Sequence, residues 1–385
     1  MTTKTAIVLG GGSGGLVAAR ALRRRLDPQD RVVIVEREPL YRFAPSFLWV
    51  MSGARRAEQI SGDIRRLRRR GIEVVEASVD GIDPDRQRVA TSGGDLAYDR
   101  LVLALGAALA PEALPGFADG AHNLYTLAGA EAARTALAEI ERGRVIVLVS
   151  SLPYKCPAAP YEAAFLAEAV LRRRGVRENV AIDVFTPEPL PMPTAGEEIG
   201  REVAGMLESR GIGFHPQQSV QRVDASTRQL VLADGEQVGY DVVIGVPPHR
   251  APAVVAESEL GGPSGFVPVD PHSLATSADG VYAIGDVTTI PLAGGKLMLP
   301  KAGVFAHAEA NVVADRIAAE LSGHESRAAF DGRGACFLEL GDGAAGFASG
   351  DFYAEGAPRV RMRRPGRHWH VAKVAFERYW MRRWL

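Results

Sequence analysis

Cysteine is nearly missing: the 385-residue chain holds two, Cys156 and Cys336. So few exclude a disulfide scaffold and a Cys-rich metal site. Net charge is nearly missing too, with 45 Lys plus Arg against 46 Asp plus Glu. A general nucleic-acid binder should be strongly basic, so nucleic acid is not expected as a partner. No apolar run approaches the ~18 residues of a membrane-spanning helix. The N-terminal run Ala6 to Leu9 is too short for the core of a signal peptide and leads straight into glycines, so no signal peptide is expected. No Cys-x-x-Cys-His is present for haem attachment. Among the scattered histidines only His368-x-His370 is a close pair, and no metal is expected.

What is there is globular. Hydrophobic residues make up 46% and charged residues 24%, enough to build a sizeable core, and the length suggests two or three domains. Glycine is high, 42 residues without a collagen period, which favours tight turns and ligand loops. The charge is unevenly spread. From Arg359 to Leu385 eight arginines and one lysine face a single acid, Glu377, so this tail is +8 and the remainder −9. Three tryptophans, Trp369, Trp380 and Trp384, share the tail.

The segment Thr5 to Leu9 reads as a buried parallel strand, and Arg31 to Glu36 as the next one. Between them lie Gly10-Gly-Gly-Ser-Gly-Gly15 and a helix expected from Leu16 to about Leu26. Gly10-x-Gly12-x-x-Gly15 between strand and helix, with Glu36 21 residues after Gly15, fits a dinucleotide site. Gly10 permits the turn, Gly12 lets backbone approach a pyrophosphate, and Gly15 lets the helix pack on the strand. The helix start supplies amide donors, and Glu36 can accept from ribose hydroxyls. Further strands are expected at 71–79, 86–91 and 101–106. A second α/β unit opens with a strand at 144–149, a helix from about Tyr161 to Arg173 and a strand from Val180 to Phe185. Strands near 219–223, 229–233 and 240–246 are expected to complete it. A strand at 281–286 and a helix at 303–321 return to the first unit. The expected class is α/β, with two Rossmann-like domains and a small C-terminal region. The expected boundaries are 1–105 with 265–329, 106–264, and 330–385.

Where the second unit should carry its own glycine fingerprint, it has Ser150-Ser-Leu-Pro-Tyr-Lys-Cys-Pro-Ala-Ala-Pro-Tyr-Glu162. Prolines remove amide donors, and Leu152 and Tyr154 are too bulky for a close pyrophosphate. A nicotinamide cofactor is therefore not expected there.

Val281-Tyr-Ala-Ile-Gly-Asp286 and Tyr98-Asp-Arg-Leu-Val-Leu-Ala-Leu-Gly106 resemble the second fingerprint and connecting motif of flavoproteins with two dinucleotide-binding domains. The Cys156-to-Glu162 loop resembles that of sulfide:quinone oxidoreductases and flavocytochrome c sulfide dehydrogenases. Arg42-Phe-Ala-Pro-Ser46, Pro247-Pro-His-Arg250, Leu299-Pro-Lys-Ala-Gly303 and Gly334-Ala-Cys336 are similar to the same family. The resemblance implies FAD, held without a covalent bond because no cysteine lies at 37–47. It implies cofactor contacts through Gly10, Gly12, Ser13, Gly14, Gly15, Glu36, Arg37, Pro45, Val79, Ala104, Gly106, Gly285, Asp286, Lys301 and Gly303. It also implies that Cys156 and Cys336 form the redox pair, with Glu162 as proton acceptor and Lys301 beside the flavin ring. The implied partners are sulfide and a quinone. A cytochrome c acceptor, a type II NADH:quinone oxidoreductase and a flavin-based polysulfide sensor are the alternatives. The third cysteine of quinone-linked members, expected near 120–130, is missing.

On a helix, Ala372, Phe376, Trp380 and Trp384 form one stripe, with Lys373, Arg378, Arg382 and Arg383 alongside. Such a tail at 368–385 suits the surface of an anionic membrane, and the expected location is peripheral at a membrane, otherwise cytoplasmic. A homodimer is compatible with the sequence.

Overall fold

The computed structural model describes residues 3–385. Two all-parallel five-stranded sheets organise it. The first runs in the order Val281–Ala283, Arg100–Leu103, Thr5–Leu9, Arg31–Val35, Glu73–Val75. The second runs His122–Asn123, Val242–Val246, Gly143–Val149, Val180–Phe185, Ile212–His215. The central strands are continuous Val/Ile/Leu runs because helices cover both faces of a parallel sheet. Residues Ala6 to Leu9 and Val145 to Leu148 are fully buried. Val281–Ala283 pairs with Arg100–Leu103, so the chain returns to the first sheet after completing the second.

The sequence-based boundaries shift in three places. The first helix is Ser13–Arg25, capped at Gly12, so it starts inside the glycine run rather than at Leu16. The expected strand at 71–79 divides into Glu73–Val75, in the parallel sheet, and Val79–Asp83, which pairs antiparallel with Arg88–Thr91. Val220–Asp224 and Gln229–Leu232 do not extend the second parallel sheet. With Gln237–Gly239 they form an antiparallel meander, because the four-residue link through Arg228, at φ +54°, is too short for a parallel crossover.

After the helix Gly303–Leu321 comes an antiparallel sheet of Arg333–Gly341, Ala344–Asp351 and Arg359–Gly366. The terminal helix Arg367–Trp384 ends the chain. The strand Arg333–Gly341 lies hard against the helix Ala159–Arg173: a Cβ on Gly341 would come 2.5 Å from the Ala169 methyl. That contact brings the two cysteine-bearing segments together.

The terminal helix does not present its tryptophans outward. Trp380 and Trp384 are 3% and 4% exposed. Trp380 Nε1 donates to Tyr41 Oη at 3.1 Å, and its ring lies against Phe43 and His307. Lys373 and Glu377 are buried as well. Trp380 and Trp384 are core packing, since burying two indoles on the body of the protein removes a large apolar area from water, while Phe376 of the same stripe stays exposed. Among the described residues no helix is long and apolar enough to cross a membrane.

Candidate active site

The first helix begins at Gly12 with no side-chain cap and no acid in its first turn, so its leading amides and positive dipole end are free for an anion. A Cβ on Gly10, which sits at φ +99°, would lie 2.5 Å from the Ala104 carbonyl oxygen, and one on Gly15 would lie 1.8 Å from the Gly10 oxygen. Those glycines close strand and helix together. Gly12 differs: a Cβ there meets no protein atom within 4 Å. Glu36 is held at its strand end by the Gly11 amide at 2.6 Å and the Glu38 amide at 2.9 Å. Ser13 Oγ shares a hydrogen bond with Tyr41 Oη, and a Cβ on Gly303 would stand 3.8 Å from that Oγ. Gly14 packs under Ile284 and Ala306. Arg37 and Pro45 are exposed, and Val79, first residue of the strand Val79–Asp83, packs partly buried against the core of the first sheet. Gly106, at φ +70°, faces open space.

At the C-terminal end of Val281–Ala283, Gly285 takes φ +71° and its amide donates to Glu309 Oε2 at 2.6 Å. Burial pushes the Glu309 carboxyl up to about 7. It also raises the Asp286 carboxyl, against the pull of Lys155 and Lys301. Lys301 Nζ donates to the Asp286 and Thr288 carbonyls at 2.7 and 2.9 Å and stands 3.6 Å from the Phe266 ring centroid. Burial brings its ammonium down to about 8. Open space over Gly12, an uncapped helix start and an enclosed acid flanked by lysines fit a flavin dinucleotide.

Cys156 is tied to this region, since its amide donates to the Lys301 carbonyl at 2.6 Å. Its φ is +53°, a left-handed conformation that costs a non-glycine residue about 1–2 kcal/mol. Tyr125 holds the loop, donating to the Lys155 carbonyl at 2.5 Å. It stands in the stretch where the third cysteine was looked for. Both cysteines are free thiols. The Cys336 thiol is solvent-accessible yet ringed by protein, and this enclosure, with the Glu162 charge next, pushes it up to about 11. Burial raises Cys156 strongly, and the nearby Cys336 and Glu162 charges add to that.

Glu162, in the first turn of Ala159–Arg173, is 2% exposed. Its Oε1 accepts from Lys373 Nζ at 2.7 Å and from the Glu339 amide at 2.8 Å. Burial raises its pKa while Lys373 opposes the rise. Lys373 loses some basicity to burial, but Glu162 and Glu339 more than restore it, so it stays an ammonium. Lys373 Nζ also lies 3.8 Å from Glu339, whose carboxylate meets His370 Nδ1 at 3.0 Å. Sequence reasoning set Lys373 beside the aromatic stripe, among the basic residues of a membrane-facing tail, and read His370 only as half of a close histidine pair with no metal expected. No local signal ties either to its partner, 31 positions away for His370 and Glu339 and 211 for Lys373 and Glu162.

A second buried acid, Glu188, follows Val180–Phe185. It accepts hydrogen bonds from Tyr154 Oη at 2.9 Å, Thr186 Oγ1 at 3.1 Å and the Tyr161 hydroxyl. An acid after the second strand of a Rossmann unit is where a ribose hydroxyl would bind. Here two tyrosines from the 150–162 segment occupy it.

A family model described as pyridine nucleotide-disulphide oxidoreductase matches residues 4–310. The chain is 27% identical to the sulfide-quinone reductase of Aquifex aeolicus over 98% of its own length and 90% of that protein's. It is 26% identical to the mitochondrial sulfide:quinone oxidoreductase of Mus musculus, covering 74% of this chain and 66% of that one. The crystal structure of the Aquifex aeolicus sulfide:quinone oxidoreductase superposes with a TM-score of 0.89 at 25% identity, covering 98% of this chain and 90% of that one. The chain belongs to the pyridine nucleotide-disulphide oxidoreductase family, as an FAD-binding oxidoreductase of the sulfide:quinone oxidoreductase type.

Proposed function

We propose that the protein oxidises sulfide at Cys156 and Cys336 and passes the electrons through non-covalently bound FAD to a quinone. The observation that carries this is the convergence of two distant segments, the Cys156-to-Glu162 stretch, whose Cys156 amide is hydrogen-bonded to Lys301, and the Cys336 strand, whose Glu339 amide donates to buried Glu162. In the oxidised state the two cysteines are bridged. A hydrosulfide ion attacks the bridge, giving a persulfide on one cysteine and a thiolate on the other. The pair then closes around the added sulfur atom as a trisulfide, releasing one proton and two electrons. FAD, where bound, takes the electron pair and hands it on. Glu162 receives the proton, its raised pKa suiting it to a base near neutral pH.

A quinone acceptor is supported by an aromatic patch beside the cysteine strand. Phe376 is 43% exposed, and its ring lies 6.5 Å from Phe337, next to Cys336, and 6.2 Å from Phe43. Aromatic faces of this kind stack on a planar ring. Peripheral membrane attachment is supported by the outer side of the terminal helix, where Ala375, Arg378, Tyr379, Arg382 and Arg383 line an open depression of about 520 Å³. The test is an anaerobic titration of the FAD-loaded protein with sulfide, followed by a quinone or by cytochrome c. The reading expects sulfide to bleach the flavin and quinone to restore it. Restoration by cytochrome c alone moves the acceptor. Bleaching by NADH in preference to sulfide replaces the reading with the type II dehydrogenase.

A further inference from the structure

Sulfide oxidation leaves a proton on a carboxyl that is 2% exposed, and turnover requires it to reach water. That carboxyl is Glu162. Its contacts are Lys373 and the Glu339 amide, and Lys373 in turn reaches the Glu339 carboxylate, 1% exposed. Glu339 meets His370 at 3.0 Å, and the His370 side chain is 28% exposed. The chain of contacts therefore runs from the thiols to the surface in one line of four side chains.

We propose that Glu339 and His370 are the outlet of a proton relay that carries the proton from Glu162 to solvent. This rests on the sulfide reading above.

The charges of the cluster support the relay. With Lys373 an ammonium, two ionised carboxylates and a neutral His370 leave one negative charge in excess. One proton is the amount that balances it. Lys373 couples the two ends. A proton arriving on Glu162 weakens that ion pair and turns the ammonium toward Glu339, which then holds the imidazolium of His370 less strongly. His370 releases its proton to water; Lys373 then hands a proton through Glu339 to the imidazole and takes the Glu162 proton in its place, so the ammonium is restored. One proton enters at the thiols and one leaves at the imidazole, with no bond other than N–H and O–H changed. Imidazole suits this place as the side chain that exchanges protons most readily near neutral pH.

Among the described residues, Glu339 is the one ion-pair partner of His370. Trp49 packs edge-on against its ring from the helix Phe47–Met51, and Arg55, beyond that indole, is bound to Glu377. On the adjoining turn Gly343 lies next to the ring, and Asp342 is taken by Arg172 and Arg173.

The test follows proton release with a pH-indicator dye, in weak buffer, while sulfide reduces the FAD-loaded protein. In the wild type, release keeps pace with flavin bleaching. In His370→Gln, whose amide can still donate to Glu339, bleaching begins normally but release lags by about tenfold or more, the size of a lost acid–base step. Added imidazole restores it. Release in step with bleaching in His370→Gln, or a lag that imidazole does not relieve, overturns the relay. Failure of sulfide to bleach the wild-type flavin overturns the sulfide reading instead, and the relay with it. A second measurement uses the wild type alone. The relay couples the two ends, so the NMR titration of His370 should shift when the cysteine pair goes from oxidised to reduced. Identical titrations in the two states overturn the relay even if the variant does not fold.

Discussion

Replacing Lys373 by methionine removes the cation that touches two buried carboxylates. The Glu162 and Glu339 side chains are 3% and 1% exposed, and Lys373 Nζ lies 2.7 and 3.8 Å from them. Methionine keeps the apolar stem but leaves both acids buried without a counter-charge. Breaking one side of a buried pair costs about 3–5 kcal/mol. The loss falls on docking of the terminal helix, whose other anchors include the His370–Glu339 pair at 3.0 Å, the Arg55–Glu377 pair at 2.8 Å and the buried indoles of Trp380 and Trp384. At 1.36 kcal/mol per factor of ten, amide exchange in Arg367–Trp384 should accelerate by roughly a hundredfold to several thousandfold. The sign with pH follows from Glu162. Burial already raises its folded pKa, and without Lys373 that pKa rises further. An acid raised in the folded state is fully stabilising below its unfolded pKa and loses that contribution as pH climbs through the folded one. The penalty is therefore largest in mild alkali and shrinks toward mild acid. Adding Glu162→Gln should recover part of it. Hydrogen exchange read by mass spectrometry across pH decides the matter. An acceleration under about threefold in mild alkali, or one indifferent to pH, refutes the view that this lysine neutralises the cluster.

Gly12→Val should leave the fold intact and abolish flavin retention on desalting, because its Cβ meets no protein atom within 4 Å. Gly15→Ala should instead disrupt folding, with its methyl 1.8 Å from the Gly10 oxygen; equal behaviour of the two variants would contradict the assigned roles. Burial sets Glu188 at about 7 against 4.5 in the unfolded chain, so its relative stabilisation is present below 4.5 and lost as pH rises through 7. That is worth about 3 kcal/mol. Glu188→Gln should flatten the pH dependence of denaturant unfolding by that order, and an unchanged slope would count against the shift. On anionic vesicles, reversing Arg378 and Arg382 to glutamate should abolish flotation while leaving FAD bound. These arginines lie on the exposed face, whereas truncating the helix would also strip out Trp380, Trp384 and Lys373. Flotation unaffected by charge reversal removes the membrane role from this face.

The parallel sheets were legible because buried strands such as Ala6 to Leu9 and Val145 to Leu148 are short β-branched runs bounded by glycine or polar residues. The cofactor loop was legible because its chemistry is local: Gly10, Gly12 and Gly15 each do a job fixed by backbone geometry. The terminal helix was misread at Lys373, Trp380 and Trp384, since a period of four shows which residues share a face but not what covers it. Nothing near Lys373 in sequence reveals Glu162, 211 residues away. The tyrosines on Glu188 were hidden for the same reason, because the partners lie 27 and 34 residues apart with a helix between them.

The central claim is that Cys156 and Cys336 act as one redox pair. It is tested most directly by mapping the cysteines in protein oxidised under air and in protein then given one equivalent of sulfide anaerobically. Digestion after alkylation without reductant should yield a single cross-linked peptide containing Cys156 and Cys336, and sulfide should add the mass of one sulfur atom to it as the flavin bleaches. Two alkylated, unlinked cysteines in protein that still oxidises sulfide would contradict the account.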